Sequence, residues 1–162
     1  EGLAALRTAV KAEDMLKYDE PPGWLIPVRH ALGATLMSAG RYAEAEELTQ
    51  LAEELSADDD LTSQALWRSV RAKALARRSL EADAEELARE AVALLEGTDA
   101  LILQADALED MAEVLELAGG DGARKCLNEA LKRLERKEDV VSVVRVRALL
   151  RDLDAALAAS EG

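Results

Sequence analysis

Alanines recur in the sequence at a constant interval, and this repeat limits the architectures that the chain can adopt. Two sets of three alanines are each spaced 39 residues apart: Ala45, Ala84 and Ala123, and Ala52, Ala91 and Ala130. Self-similarity at a period of about 20–50 residues is typical of stacked repeats, in which each unit leaves an apolar face that only its neighbours cover. The chain is therefore predicted to fold as a stack of similar units.

The amino-acid composition favours helices as the repeating element. Hydrophobic residues make up 49% of the chain, aromatic residues make up only 2%, and phenylalanine is absent. A core of leucine, alanine and valine suits close packing of helices, because alanine lets backbones approach, and it suits a sheet poorly. At 162 residues the chain has the length of one domain.

Helical spacing of apolar residues extends along the chain and is interrupted by proline, glycine and aspartate. Eight helices are predicted, at about 3–18, 23–39, 41–55, 61–78, 82–96, 98–117, 121–136 and 140–159. They are predicted to form one all-α domain, residues 1–162, of four antiparallel hairpins at about 3–39, 41–78, 82–117 and 121–159. We expect Gly40 to end the second helix in a left-handed conformation. The aspartates of 56–60 are expected to cap the fourth helix, Thr98 or Asp99 the sixth, and Asp121 the seventh.

The region of the second and third predicted helices resembles the tetratricopeptide repeat family. The family's pattern of small residues, a glycine turn, an aromatic residue and two alanines is matched by Leu32, Gly33, Leu36, Gly40, Tyr42, Ala45 and Ala52. The later repeats match more loosely, the period of 39 exceeds the family's, and the terminal proline of each repeat is missing. The resemblance implies a right-handed superhelical stack of hairpins with a concave groove.

Two parts of the chain resemble different bacterial members of this family. Residues 17–48 are similar to one kind of bacterial repeat protein, whereas segments between 61 and 150 are similar to the helical-repeat tails of large actinobacterial regulators. The two resemblances meet near 48–51, inside the region that follows the family pattern most closely. We therefore expect an engineered chimaera of helical fragments, joined within the third predicted helix.

The residues that catalysis or metal binding would need are scarce or badly spaced. His30 is the only histidine and Cys126 lies in a different repeat, so a pair of nucleophile and base is not expected. Cys126 takes the position that leucine holds in the two preceding repeats, which favours a small buried hydrophobic residue over a reactive thiol. The acidic residues between 109 and 116 lack the Glu-x-x-His motifs of a di-metal bundle. We expect no enzyme activity, no metal and no cofactor.

Charge is unevenly distributed along the chain. Residues 121–151 carry nine Lys or Arg and five Asp or Glu, although the whole chain has a net charge of −13. An acidic protein with few aromatic residues is not expected to bind nucleic acid. The basic side chains of the fourth helix are expected to pair with neighbours such as Glu46, Glu53 and Glu85, and a patch for acidic peptides is the alternative. No apolar run is long enough to span a membrane, so a cytoplasmic or recombinant soluble protein is expected.

The resemblance also implies which residues would line a concave groove that binds peptides. Carried over by repeat position, this lining is Pro27, His30, Ala34, Leu66, Ser69, Lys73, Leu108 and Ala112. The Lys and Asn pair with which some family members clamp a peptide's terminal carboxylate is not reproduced at these positions. A small, mostly apolar groove of this kind favours a packed helix or no ligand at all.

These observations together favour a non-catalytic helical-repeat scaffold, engineered, monomeric and without a dedicated ligand. Its polar terminal helices would act as caps of the stack. The alternative is a peptide-binding or regulatory module of a larger bacterial signalling protein. No partner is identified by the sequence, apart from a peptide in the groove under that alternative.

Overall fold

A computed structural model of the chain describes residues 2–15, 28–120 and 122–160. Within these ranges the structure is all-helical, with eight α-helices and no strand. The helices are α1 (Gly2–Asp14), α2 (Val28–Ser38), α3 (Tyr42–Leu55), α4 (Leu61–Ala76), α5 (Glu81–Glu96), α6 (Leu101–Leu117), α7 (Ala123–Lys137) and α8 (Val140–Ser160). The all-α class and the eight helices are confirmed for this part of the chain, while the four hairpins and the superhelical stack stay predictions.

The predicted turn and cap residues explain where several helices begin and end. Gly40 has a φ of +70°, in the left-handed region that favours glycine, and this confirms the prediction for the end of α2. The Asp60 carboxylate accepts a hydrogen bond from the Ser63 backbone N–H at 3.1 Å, so Asp60 caps α4 as predicted.

The predicted cap of α6 is wrong. The N-cap residue is Ala100, and no side chain caps this helix. The Thr98 hydroxyl instead donates to the Leu95 carbonyl at 2.8 Å and accepts from the Ala100 backbone N–H, which commits it to the turn before the helix. Gly122 is the N-cap of α7, and Asp121 lies outside the described residues.

Consecutive helices pack against one another, and α4 also packs against α6. The most extensive contacts join α4 to α5 and α6 to α7. Lys73 of α4 pairs with Asp110 of α6, and Arg77, one turn later, pairs with Glu113. Because both helices advance together along these pairs, α4 and α6 run in the same direction.

The repeated alanines lie at the points where helices approach most closely. Ala45, Ala84, Ala91 and Ala130 are fully buried. The largest core cluster joins α6, α7 and α8 around the buried side chains of Leu134 and Val146. Cys126 belongs to this cluster, and burial raises the pKa of its thiol, so the prediction of a small buried hydrophobic residue is confirmed.

The last helix buries only one of its faces. Val143, Val146 and Leu153 of α8 lie in the core cluster that α8 shares with α6 and α7. Val141 and Val144 are 80% and 61% exposed. No described helix follows α8 in the chain, so these valines have no packing partner of the kind that α6 finds in α8.

Candidate functional site

The predicted groove residues on α4 and α6 are divided between the core and the surface. Leu108 and Ala112 are buried in the cluster formed by α6, α7 and α8, so neither side chain is open to a ligand. Ser69 of α4 is also buried. Leu66 is 37% exposed, and Lys73 is partly exposed.

A one-residue difference between repeats explains this division. The starts of α3 and α5 are 39 residues apart, but the starts of α4 and α6, at Leu61 and Leu101, are 40 apart. A position carried from α4 to α6 by the 39-residue interval is therefore displaced by one residue, which rotates it about 100° around the helix axis. The interval of 40 instead takes Leu66 to Asp106 and Lys73 to Glu113, and both acidic residues lie on the more exposed side of α6.

The remaining groove residues belong to the N-terminal part of the chain. Ala34 is exposed on α2. His30 lies within the backbone of α2, but its side chain is outside the described part of the structure, and so is Pro27 as a whole. The structure therefore does not bring these residues together with Leu66 and Lys73, and a peptide groove stays a prediction.

Ion pairs between helices cross the surface formed by α4, α6 and α8. The Lys73 Nζ atom lies 2.6 Å from the Asp110 carboxylate, and Arg77 pairs with Glu113. On the other side of α6, the Arg145 guanidinium of α8 lies 2.8 Å from Glu109 and 3.5 Å from Asp106. We call these residues the ion-pair surface: Lys73, Arg77, Asp106, Glu109, Asp110, Glu113 and Arg145.

The acidic groups of α6 at this surface are partly desolvated. Burial raises the pKa of the Asp106 and Glu109 carboxyls, although the neighbouring Arg145 opposes this effect. Burial would lower the pKa of Arg145, but the two carboxylates beside it raise that pKa above its ordinary value. The three groups thus form a coupled network in which both carboxylates face one cation.

Two cavities lie near these helices, and they differ in size. The cleft between α4 and α6, beside Leu66 and Asp106, has a volume of about 20 Å³. That volume holds about one water molecule and no peptide side chain. The larger cavity, about 410 Å³, lies where the α5–α6 turn meets α7, away from the predicted groove, and is lined by Glu96, Thr98, Leu101, Gln104, Lys132, Arg133 and Arg136.

Gln104, at the larger cavity, joins three helices through its carboxamide. Its Nε2 atom donates to the Leu95 carbonyl at 2.9 Å and to the Thr98 carbonyl at 2.8 Å, at the end of α5. Its Oε1 atom accepts from Arg133 Nε of α7 at 2.9 Å. Gln64 of α4 does the same for the end of α3, where its Nε2 atom donates to the carbonyls of residues 56 and 57. The sequence analysis missed both glutamines, although they occupy equivalent places in their repeats.

The basic residues of α4 pair largely as predicted. Arg78 pairs with Glu46 and Arg71 with Glu53, which confirms those two partners. Glu85 pairs with Arg89 of its own helix α5 instead. These side chains stabilise contacts between neighbouring helices.

Trp67 of α4 lies between two arginines. The Arg68 and Arg71 guanidinium carbons lie 4.1 Å and 4.4 Å from its ring centroid. The Arg71 Nη2 atom is buried without a hydrogen-bond partner among the described residues. Stacking on the indole face supplies an electrostatic attraction that offsets part of this cost.

Comparisons with known proteins add no relative, since no family model, curated protein or solved structure matches the chain. In the ranges that the structure describes, His, Cys, Asp and Glu side chains form no group of three or more that could hold a metal ion. Among the described helices, none combines the length and the apolar character needed to cross a membrane.

Proposed function

We propose that the chain is a non-catalytic helical-repeat scaffold without a dedicated ligand. The observation that carries this proposal is the ion-pair surface, which covers the side of α4 and α6 where the family resemblance would place a ligand. Lys73 and Arg77, the cations available to an acidic peptide, already pair with Asp110 and Glu113. A ligand would have to break these pairs and desolvate their partners, which costs free energy before any new contact forms.

The size of the cleft between α4 and α6 supports the same proposal. A peptide side chain needs a recess, and this cleft accommodates only one water molecule. Residues that could have formed a deeper recess, Leu108 and Ala112, are committed to the core instead. The arrangement stabilises the stack of helices rather than a cavity.

An engineered origin belongs to the same proposal. The expected junction near 48–51 falls inside α3, which packs against both α2 and α4. A helix shared by two overlaid fragments would hold such a position.

A peptide-binding module is the second candidate, and Leu66 is the observation that favours it. This leucine is 37% exposed at the edge of the cleft between α4 and α6, next to Asp106 and Asp110. An exposed apolar side chain beside carboxylates suits a short peptide with one apolar and one basic residue. The resemblance to tetratricopeptide repeats points to the same class of ligand.

A peptide array screened with the purified protein separates the two candidates. The scaffold proposal predicts no sequence-selective signal, and the same result for Leu66→Asp, which changes only an exposed side chain. Leu61→Asp is the matched control, because Leu61 is 40% exposed on the same helix and does not line the cleft. Selective binding that is lost in Leu66→Asp and kept in Leu61→Asp would overturn the scaffold proposal and support the peptide-binding module.

A further inference from the structure

The exposed face of α8 carries side chains that the other repeats cover. Val144 lies 39 residues after Ala105, and Arg151 lies 39 residues after Ala112. Ala105 and Ala112 are buried in the cluster to which α7 and α8 contribute. On α8 the equivalent positions are exposed, and Val144 has 61% of its surface in solvent. This face is thus the place where a further helix would pack.

The exposed side chains follow one line along α8, which we call the outer stripe. Its members are Val144, Ala148, Arg151, Asp152, Ala155 and Ala159. Their spacing of three and four residues keeps them on one side of the helix, opposite the buried Val143, Val146 and Leu153. No other described helix packs over the stripe, so a second molecule can approach it without hindrance.

The charges of α8 distinguish the stripe from its flanks. Arg145, Arg147 and Asp154 on the flanks pair with residues of α6 and α7. Arg151 and Asp152, by contrast, form no ion pair or hydrogen bond within the described ranges. The stripe therefore presents one unpaired cation next to one unpaired anion, between small or β-branched apolar residues.

We propose that the outer stripe is the interface of a homodimer in which α8 packs antiparallel against α8 of a second copy. In this arrangement Arg151 faces Asp152 of the second copy, and twofold symmetry forms the same pair again. Helices that run in opposite directions then place Ala148 level with Ala155 of the second copy, and Val144 level with Ala159. A valine opposite an alanine fills the space that the small side chain leaves.

The charges also exclude a parallel dimer and predict a weak one. Parallel helices would place Arg151 beside Arg151 of the second copy, and Asp152 beside its own equivalent, and like charges in contact are unfavourable. One helix face is a small interface, below the size typical of stable complexes, so the dimer forms at high protein concentration. The exposed valines also explain why polar positions alone do not make α8 a cap, as the sequence suggested.

Sedimentation velocity of the full chain, over about two orders of magnitude in concentration, tests the interface. We expect a reversible monomer–dimer equilibrium. Arg151→Asp or Asp152→Arg alone should weaken it about tenfold, because each change places like charges opposite one another. An equimolar mixture of these two variants should regain the wild-type affinity, because acidic and basic stripes then face each other.

Val144→Lys and Val140→Lys form the matched pair for the apolar part of the interface. Val140 is 71% exposed on α8 but lies off the stripe, so only Val144→Lys should weaken the dimer. Circular dichroism confirms that each variant stays helical. A wild-type protein that is monomeric throughout, a mixture that stays monomeric, or equal effects of the two lysine variants would each overturn the proposed interface.

Discussion

Replacing Gln104 by methionine should destabilise the protein by removing one carboxamide and little else. Methionine has nearly the length and volume of glutamine, so the packing of the buried side chain is kept. Three hydrogen bonds are lost: two that the carboxamide donates to the Leu95 and Thr98 carbonyls, and one that it accepts from Arg133. These bonds join the end of α5 to α6 and α7.

The three bonds do not contribute equally. The Leu95 carbonyl still accepts from the backbone N–H and the hydroxyl of Thr98, so its loss is small. The Thr98 carbonyl and Arg133 Nε lose the partner described here. With about 0.5–1.5 kcal/mol for each bond, we expect a loss of about 2–3 kcal/mol in the free energy of unfolding. For a chain of this size this corresponds to a decrease of roughly 5–10 °C in Tm.

Urea unfolding followed by circular dichroism measures the effect. Gln50→Met is the matched control, because Gln50 is exposed on α3, and it should change the unfolding free energy by less than about 0.5 kcal/mol. If Gln104→Met is as stable as the control, the carboxamide does not hold these helices together. A double-mutant cycle with Arg133→Met then isolates the bond to α7, for which we expect a coupling of about 1 kcal/mol.

Three further changes test other parts of the structure. Leu134→Ala should lower the free energy of unfolding by about 2–5 kcal/mol in urea titrations, since it leaves a cavity in the core of α6, α7 and α8; a loss below about 1 kcal/mol would contradict that packing. Asp60→Ala should cost about 1 kcal/mol at neutral pH. Hydrogen bonds from Ser63 lower the pKa of Asp60, so the difference between wild type and variant should vanish as the pH falls below the native pKa, and a difference that persists in acid would exclude a charged cap. Burial raises the pKa of Glu109, although Arg145 opposes it, so the native state binds this proton more tightly than the unfolded chain. Stability should then decline as the pH rises from the ordinary pKa of a glutamate through the native one, and Glu109→Gln should show less of this decline in unfolding curves recorded across that range.

Local signals in the sequence were sufficient for the helices and for several of their ends. The left-handed Gly40 and the capping carboxylate of Asp60 act within a few residues of their own position, so the sequence predicts them directly. Burial of Cys126 followed from the repeat, because its counterparts in the two preceding repeats are leucines. Each of these features depends on neighbours in the chain or on the period.

The position of residues around a helix axis was not predictable in the same way. One additional residue between α4 and α6 rotates every position carried over by the period, and that rotation separates the buried Leu108 from the exposed Glu109. The role of Gln104 was hidden for another reason. A single amide in an apolar segment has no local partner, and its acceptors lie nine and six residues away across a turn.

Gln64 and Gln104 also define where this stack can be lengthened. Each glutamine fastens the end of the preceding helix, so a transferable module is a glutamine-bearing helix together with the helix before it. The last turn is fastened differently: Val143, 39 residues after Gln104, packs in the core, and the Asp139 carboxylate holds the start of α8. A duplicated module taken from α3–α4 or α5–α6 therefore brings its own fastening with it, whereas one taken from α7–α8 does not.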